Sequence, residues 1–168
     1  MFTMWAALPG PLILSADLRA SAMNTGAGLD SDVLRILTNK AVIAVNQDGK
    51  AAPMRPVRRQ NGLEVWKKPL TVGMAVVFFH RSSAASPFAT AERDHPSPAR
   101  NMSVTWPELG LAAGAKQTVR DLWAGQSLGV RAGGFSASVD WHEAAIYTLV
   151  PAAETDAVVS SQQPELHK

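Results

Sequence analysis

The chain has 168 residues, of which 46% are hydrophobic, 16 are basic and 14 are acidic, and it contains no cysteine. This length fits one well-packed domain with a smaller appendage, and the lack of cysteine excludes a disulfide framework and thiolate chemistry. The slight positive balance gives no support for a nucleic-acid groove, and no apolar run approaches the roughly 20 residues that span a bilayer, so we expect neither nucleic acid nor a membrane as a partner.

Residues 1–14 begin with a helical pattern and end with a strand pattern. Apolar side chains between positions 2 and 8 recur with the three-and-four spacing of one helix face. The segment Pro9–Pro11 should end this helix, because proline removes a backbone donor and disfavours helix in the residue before it. The continuous apolar run Leu12–Leu14 predicts a strand covered on both faces, as in a parallel sheet.

A second helical pattern follows a loop of small residues. Its apolar stripe consists of Val33, Ile36 and Leu37, and the polar residues that come next predict a break before the short apolar segment Ala41–Val45. The composition of Asn46–Gly49 is that of a turn. We therefore expect two short helices and a turn in this part of the chain.

From position 54 onward the hydrophobic period changes from helical to two, which is typical of strands with one buried face. Met74–Phe79 has apolar residues at both odd and even positions, which predicts a central strand covered on both faces. About eight short strands separated by Gly, Pro and Asn predict an antiparallel β-sandwich with Greek-key connections. The predicted strands are Met54–Arg59, Leu63–Lys68, Met74–Phe79, Asn101–Thr105, Gln117–Leu122, Leu128–Arg131, Phe135–Trp141 and Ala144–Val150.

Chemically distinctive patterns are few. No histidine has a second metal ligand at helical spacing, so we expect neither a metal nor a cofactor, and His142 with Glu143 is most simply a hairpin turn. The basic runs MRPVRRQ and VWKKPL are interpreted as solvated strand faces.

Two further patterns concern carbohydrate. Four tryptophans fall in strand patterns, where core or interdomain packing is a commoner role than stacking on a sugar ring; they are Trp66, Trp106, Trp123 and Trp141. The sequence Asn101-Met102-Ser103 is an N-glycosylation acceptor pattern, which makes Asn101 a candidate glycosylation site if the protein is secreted.

Four blocks, in order along the chain, resemble glycoside hydrolase family 27, the α-galactosidase family. They are PGPLILSADLR at Pro9–Arg19, ILTNKAVIAVNQD at Ile36–Asp48, LEVWKKPL at Leu63–Leu70 and VRDLW at Val119–Trp123. The resemblance implies the last βα unit of a (β/α)₈ barrel followed by the family's C-terminal β-domain. The expected fold is thus mainly β, with a barrel remnant at 1–48, an antiparallel β-sandwich at 49–151 and a flexible tail at 152–168.

The same resemblance implies retaining hydrolysis of terminal α-galactosides, or in a few relatives of α-N-acetylgalactosamine or β-arabinopyranose. In the family both catalytic aspartates lie on earlier barrel strands, so no residue of this chain inherits a catalytic role. Ser15 and Asp17 follow the last barrel strand and are candidates for substrate binding at the barrel mouth. The competing interpretation is that Asp17 pairs with Arg19 or caps the loop.

The resemblance also implies a secreted, lysosomal or vacuolar location, although the N-terminus has no recognisable signal-peptide pattern. Two functions compete. In the first, the chain is the C-terminal part of an α-galactosidase-like enzyme; it is inactive alone, and the α-galactoside binds to the complete enzyme. In the second, the chain is a non-catalytic sandwich module that binds carbohydrate or a protein. We expect residues 1–48 to pack on the sandwich and to leave apolar surface exposed for self-association.

Overall fold

The computed structural model describes residues 2–14, 31–81 and 98–153. Within these residues the chain forms four helices and eight strands. The helices are α1 (Phe2–Ala7), α2 (Ser31–Leu37), α3 (Lys40–Asn46) and α4 (Trp106–Leu109). The strands are β1 (Arg55–Gln60), β2 (Leu63–Pro69), β3 (Met74–His80), β4 (Arg100–Thr105), β5 (Lys116–Asp121), β6 (Ser127–Ala132), β7 (Gly134–Val139) and β8 (Ala144–Pro151).

Six of these strands form one sheet in the order β1-β2-β3-β8-β5-β6, and β4 pairs with β7 in a second sheet. All of the pairings are antiparallel. Each predicted strand is present within two residues of its predicted ends. β3 lies between β2 and β8 and has four consecutive buried residues, which confirms that it is a central strand. The predicted antiparallel β-sandwich is confirmed.

The space between the two sheets contains an aromatic cluster. Phe135 on β7 lies 5.1 Å, centroid to centroid, from both Phe78 on β3 and Tyr147 on β8. Burial raises the pKa of Tyr147 to about 12, and the nearby negative charge of Asp121 adds to this shift. Trp106 is fully buried beside the cluster, with its ring centroid 6.2 Å from that of Phe135. Packing of this kind is what fixes the two sheets face to face.

Trp106 is in the core as expected, but it begins helix α4 and does not lie in a strand. The cause is local. Pro107 is well suited to the first turn of a helix, and the carboxylate of Glu108 accepts a hydrogen bond from the backbone N–H of Thr105 at 2.7 Å. Gly110 then ends the helix with a positive φ of 80°.

The opposite face of the six-stranded sheet is covered by α1 and α3. A second buried cluster joins the two helices to strands β3 and β8; its buried members are Ala6, Ala7, Val42, Val45, Leu70, Ala75, Val77, Leu122, Ala144 and Ile146. The expected packing of the N-terminal segment on the sandwich is therefore present for α1 and α3. The predicted break between the second and third helices is also present, at Thr38 and Asn39.

The predicted strand at Leu12–Leu14 is wrong for this structure. Residues 11–14 have no regular secondary structure, and the side chains of Ile13 and Leu14 are 72% and 42% exposed. A strand exists only through hydrogen bonds to a neighbour, and none of the described strands pairs with this segment. Leu12–Leu14 is therefore irregular and largely exposed where the sequence predicts a strand.

Lys68 also departs from its prediction as part of a solvated strand face. Its side chain points to the helix-covered face of β2 and is only 1% exposed, and Nζ has no hydrogen-bond partner among the described residues. Burial lowers the pKa of the Lys68 ammonium below its ordinary value of 10.5, and the carboxylate of Asp48 partly opposes that shift. A buried, unpartnered ammonium opposes folding.

We expect Lys68→Met to raise the free energy of unfolding by about 1–3 kcal/mol at pH 7, because it removes a buried ammonium that lacks a hydrogen bond in the described structure and keeps the volume. The unfolded chain binds this proton more tightly, so the penalty is present below the folded pKa and disappears as pH rises to 10.5. The stability gap between variant and parent, measured by urea unfolding, should close over that alkaline range.

Lys67→Met is the matched control, because the ammonium of Lys67 does have a partner, the carbonyl oxygen of Leu109 at 2.8 Å. This neighbouring substitution should give no gain. A Lys68→Met variant that is less stable than the parent at pH 7 would show that the ammonium is satisfied in solution.

Candidate functional site

The sequence blocks that resemble one family meet in space where α1 and α3 contact the six-stranded sheet. We call this region the helix–sheet junction; its polar members are Thr3, Asn39, Asn46, Asp48, Thr71 and Trp123. Each of them connects segments that are far apart in the sequence.

Asn39 both starts helix α3 and fastens it to the sheet. Its Oδ1 atom accepts hydrogen bonds from the backbone N–H groups of Ala41 and Val42, each at 3.1 Å, as an N-cap does. Its Nδ2 atom donates to the carbonyl oxygen of Leu122 at 3.0 Å, directly after β5. One side-chain amide therefore fixes the position of the helix start on the sandwich.

Asn46 lies at the other end of α3 and holds the segment that follows α1. Its Nδ2 atom donates to the carbonyl oxygens of Leu8 at 2.8 Å and Gly10 at 2.9 Å. These carbonyls follow a helix that proline stops, so they need donors from outside the helix. The amide supplies donors to two of them.

Asp48 connects the end of α3 to the turn between β2 and β3. Its Oδ1 atom accepts hydrogen bonds from the backbone N–H of Thr71 at 2.9 Å and that of Lys50 at 3.0 Å, and also from the Thr71 hydroxyl at 3.1 Å. These bonds, led by the Thr71 N–H, lower the pKa of the Asp48 carboxyl. The carboxylate acts as a fixed acceptor that aligns two turns.

Trp123 connects the turn after β5 to α1. Its indole Nε1 donates to the hydroxyl of Thr3 at 2.9 Å, and that hydroxyl donates to the carbonyl oxygen of Ala144 at 3.0 Å. The carboxylate of Asp121 holds the backbone N–H of Trp123 at 2.8 Å. The tryptophan thus belongs to the interface between the helices and the sheet, as its predicted packing role implies.

Sequence reasoning missed this junction. The sequence pattern indicates only a break in the helix at residues 38–40 and a turn at residues 46–49. The N-cap preference of asparagine could have identified Asn39 from the sequence, since the residue directly precedes an apolar helical segment. Nothing local indicates the distant partners of Asn46 and Asp48, which are set by the fold.

A cleft of about 290 Å³ opens beside the junction, between α1, α2, the turn after β5 and the connection from β7 to β8. Its aromatic side consists of Phe2 and Trp123, and Arg35, His142 and Glu143 supply its charged and polar groups. We call it the junction cleft.

The connection at His142 and Glu143 was predicted to be a hairpin turn. It is a tight turn, but it joins β7 of the small sheet to β8 of the large sheet, so the strands on either side are not paired with each other. The Glu143 carboxylate accepts from the backbone N–H of Asp140 at 3.0 Å, and the Glu143 carbonyl accepts from the backbone N–H of His80 at 3.0 Å. These bonds fix the turn at the mouth of the cleft.

Of the residues predicted to have functional roles, Ser15 and Asp17 lie outside the described residues. Asn101 lies on β4 and is exposed, and its glycosylation remains a prediction. In the described part of the chain no group of three or more His, Asp or Glu side chains has the arrangement of a metal site. The described helices include none with the length and apolar character needed to cross a membrane.

Residues 60–149 match the family model described as the alpha galactosidase C-terminal beta sandwich domain. This match covers more than half of the chain. The chain belongs to this family. The resemblance carried by the four sequence blocks is thereby confirmed, and the junction built by those blocks is the place where the family's β-sandwich meets the helices that precede it.

Among the relatives, an α-galactosidase of Oryza sativa subsp. japonica is 34% identical over 151 residues, which are 89% of this chain and 31% of that protein. An α-galactosidase of Cyamopsis tetragonoloba is 30% identical, with the same two coverages. The chain therefore spans about a third of the length of these relatives.

Solved structures give the same fold. α-Galactosidase I from Mortierella vinacea matches with a TM-score of 0.71 at 24% identity, covering 90% of this chain and 34% of that one. A family 27 β-L-arabinopyranosidase from Geobacillus stearothermophilus matches with a TM-score of 0.70 at 24% identity, covering 92% and 30%. Both similarities extend beyond the sandwich, since the family model alone covers only 60–149.

We expect Asn39→Ala to lower the free energy of unfolding by about 1–3 kcal/mol, because it removes an N-cap and the hydrogen bond to Leu122. Asn39→Ser keeps a capping oxygen and loses the Nδ2 donor, so it should cost less. Urea unfolding of both variants measures the two contributions.

Asn101→Ala serves as the control, since this exposed asparagine should change stability by no more than about 0.5 kcal/mol. Equal stabilities of Asn39→Ala and Asn101→Ala would show that the junction does not hold α3 in place.

Proposed function

We propose that this chain provides the C-terminal part of an α-galactosidase-like retaining glycoside hydrolase and does not hydrolyse glycosides by itself. Its role is to supply the sandwich domain and the last helices of the barrel, joined through the helix–sheet junction. The observation that carries the proposal is the contact among the four family blocks in their described parts, together with a match that spans about a third of each relative. The side chains of Asn46 and Asn39 donate to the carbonyl oxygens of Gly10 and Leu122, and Leu70 packs in the same buried cluster as α3.

The chemistry of retention supports the absence of activity in the isolated chain. Retaining glycosidases need two carboxyl groups about 5–5.5 Å apart, one as nucleophile and one as acid/base. By the resemblance, these groups end strands 4 and 6 of the barrel, ahead of the portion that this chain matches. The junction carboxylate of Asp48 is committed to backbone N–H groups and is not available as a substitute.

Ser15 and Asp17 belong to this proposal as substrate-binding residues. Residues at the carboxyl end of a barrel strand face the active-site mouth. These two follow Leu12–Leu14, which would form the last strand only where neighbouring barrel strands are present to pair with it. In the complete enzyme, we propose that they contact the glycoside and leave the chemical step to the aspartates of the earlier strands.

The isolated chain should hydrolyse an aryl α-galactoside no faster than a buffer blank. When it replaces the C-terminal third of the Oryza sativa relative, the hybrid should hydrolyse the substrate, with the intact relative as the positive control. Asp17→Asn in the hybrid should raise KM if this residue contacts the substrate. Hydrolysis by the isolated chain that disappears in Asp17→Asn would contradict the proposal.

A second part of the proposal concerns association. Six large apolar side chains are more than a third exposed among the described residues, and four of them precede the sandwich: Leu8, Ile13, Leu14 and Leu34. We propose that this surface drives self-association of the isolated chain, because apolar area in water favours contact.

The double variant with Ile13→Ser and Leu14→Ser should shift the sedimentation of the chain toward monomer and reduce its binding of a hydrophobic dye. Its stability should be unchanged within about 0.5 kcal/mol, since both side chains are exposed. Val72→Ser is the matched control, because Val72 is 63% exposed on a turn of the sandwich. A parent chain that is monomeric and binds no dye would refute the proposed association.

A further inference from the structure

The junction cleft has a rigid aromatic side. Trp123 is half-buried and is held by hydrogen bonds at its indole nitrogen and at its backbone N–H. Phe2 packs against it with ring centroids 6.4 Å apart and planes tilted by 58°. Phe2 is held in turn by an edge contact with Trp5 at 6.1 Å. A ligand that enters the cleft meets a wall that is already in place, so little ordering of side chains is needed.

The other side of the cleft is polar and has both signs of charge. The Arg35 guanidinium lies 3.5 Å from the carboxylate of Asp32, and the Arg35 side chain is still 60% exposed. The Oε2 atom of Glu143 accepts the backbone N–H of Asp140, which orients the carboxylate and leaves Oε1 without a partner among the described residues. His142 is exposed beside it. Guanidinium, carboxylate and imidazole together offer both donors and acceptors.

The balance of charge in the cleft decides which ligand it suits. The lining has one arginine and one glutamate, and the carboxylate of Asp32 offsets part of the Arg35 charge, so an anion such as phosphate would meet two carboxylates and a cation would meet the guanidinium. A purely apolar ligand would desolvate these charged groups without replacing their hydrogen bonds. The lining therefore favours a neutral ligand with one apolar face and several hydroxyl groups.

We propose that the junction cleft binds one neutral hexopyranose unit of a carbohydrate. The apolar face of the ring would lie against Phe2 and Trp123, and its hydroxyl groups would donate to Glu143 and accept from Arg35. A volume of about 290 Å³ is at the lower end for small-molecule sites, which fits a single ring and not an extended oligosaccharide. This inference does not depend on the proposed hydrolase, since it concerns binding by this chain alone.

The test is calorimetric titration of the full 168-residue chain with galactose, with glucose and with inorganic phosphate, supported by saturation-transfer NMR. At least one sugar should bind in the millimolar range, with no heat from phosphate. Glu143→Gln and Arg35→Gln should each weaken sugar binding about tenfold, the effect of losing one charge-assisted hydrogen bond. Glu143→Gln keeps an oxygen that accepts the Asp140 N–H, so the turn should survive.

Arg131→Gln is the control, because Arg131 is an exposed arginine on β6 that does not line the cleft. It should bind sugar as the parent does. Trp123→Phe should also weaken binding, provided that circular dichroism shows an unchanged fold.

Three results would each overturn the proposal. They are the absence of binding by either sugar, sugar binding that Glu143→Gln and Arg35→Gln alter no more than Arg131→Gln does, and binding of phosphate in place of sugar. None of these outcomes bears on hydrolysis, so the proposed function stands or falls separately.

Discussion

The structure depends on a central pair of strands that are apolar on both faces. Val76 and Phe78 on β3 point to the core between the sheets, whereas Ala75 and Val77 point the other way and are equally buried. Because a pleated strand alternates its side chains, one covering layer leaves half of this surface in water. The small β4–β7 sheet covers one face, and α1 and α3 cover the other.

Hydrophobic contact brings the helices onto the sheet but does not fix where they lie, since it is not directional. Helices of six and seven residues are also marginal by themselves. Directional side-chain hydrogen bonds provide what is missing, at about 1 kcal/mol each. Helix α3 is attached at its start by Asn39, at its end by Asn46 and at the following turn by Asp48. Helix α1 is attached by the hydrogen bond between Thr3 and Trp123.

The same junction tolerates an unfavourable group. Lys68 is buried under the helices without a hydrogen-bond partner, although a methionine of similar length would pack there without desolvating a charge. Ile13 and Leu14, which are exposed, follow Gly10, the last residue whose carbonyl oxygen Asn46 holds. Lys68 is therefore a position in the described chain where a substitution can raise stability.

The strands could be predicted from the sequence alone, because the alternation along β7 and the apolar run on both faces of β3 are local patterns that match their burial in the fold. Four ordered blocks were also sufficient to identify the family. The fold, and no local pattern, places β7 and β8 in different sheets, leaves Leu12–Leu14 unpaired with any described strand and turns Lys68 inward. Which strands pair, and which side of a sheet the helices cover, depend on residues far apart in the sequence. The junction cleft exists because these long-range contacts bring four distant segments together, which contribute Phe2, Arg35, Trp123 and Glu143.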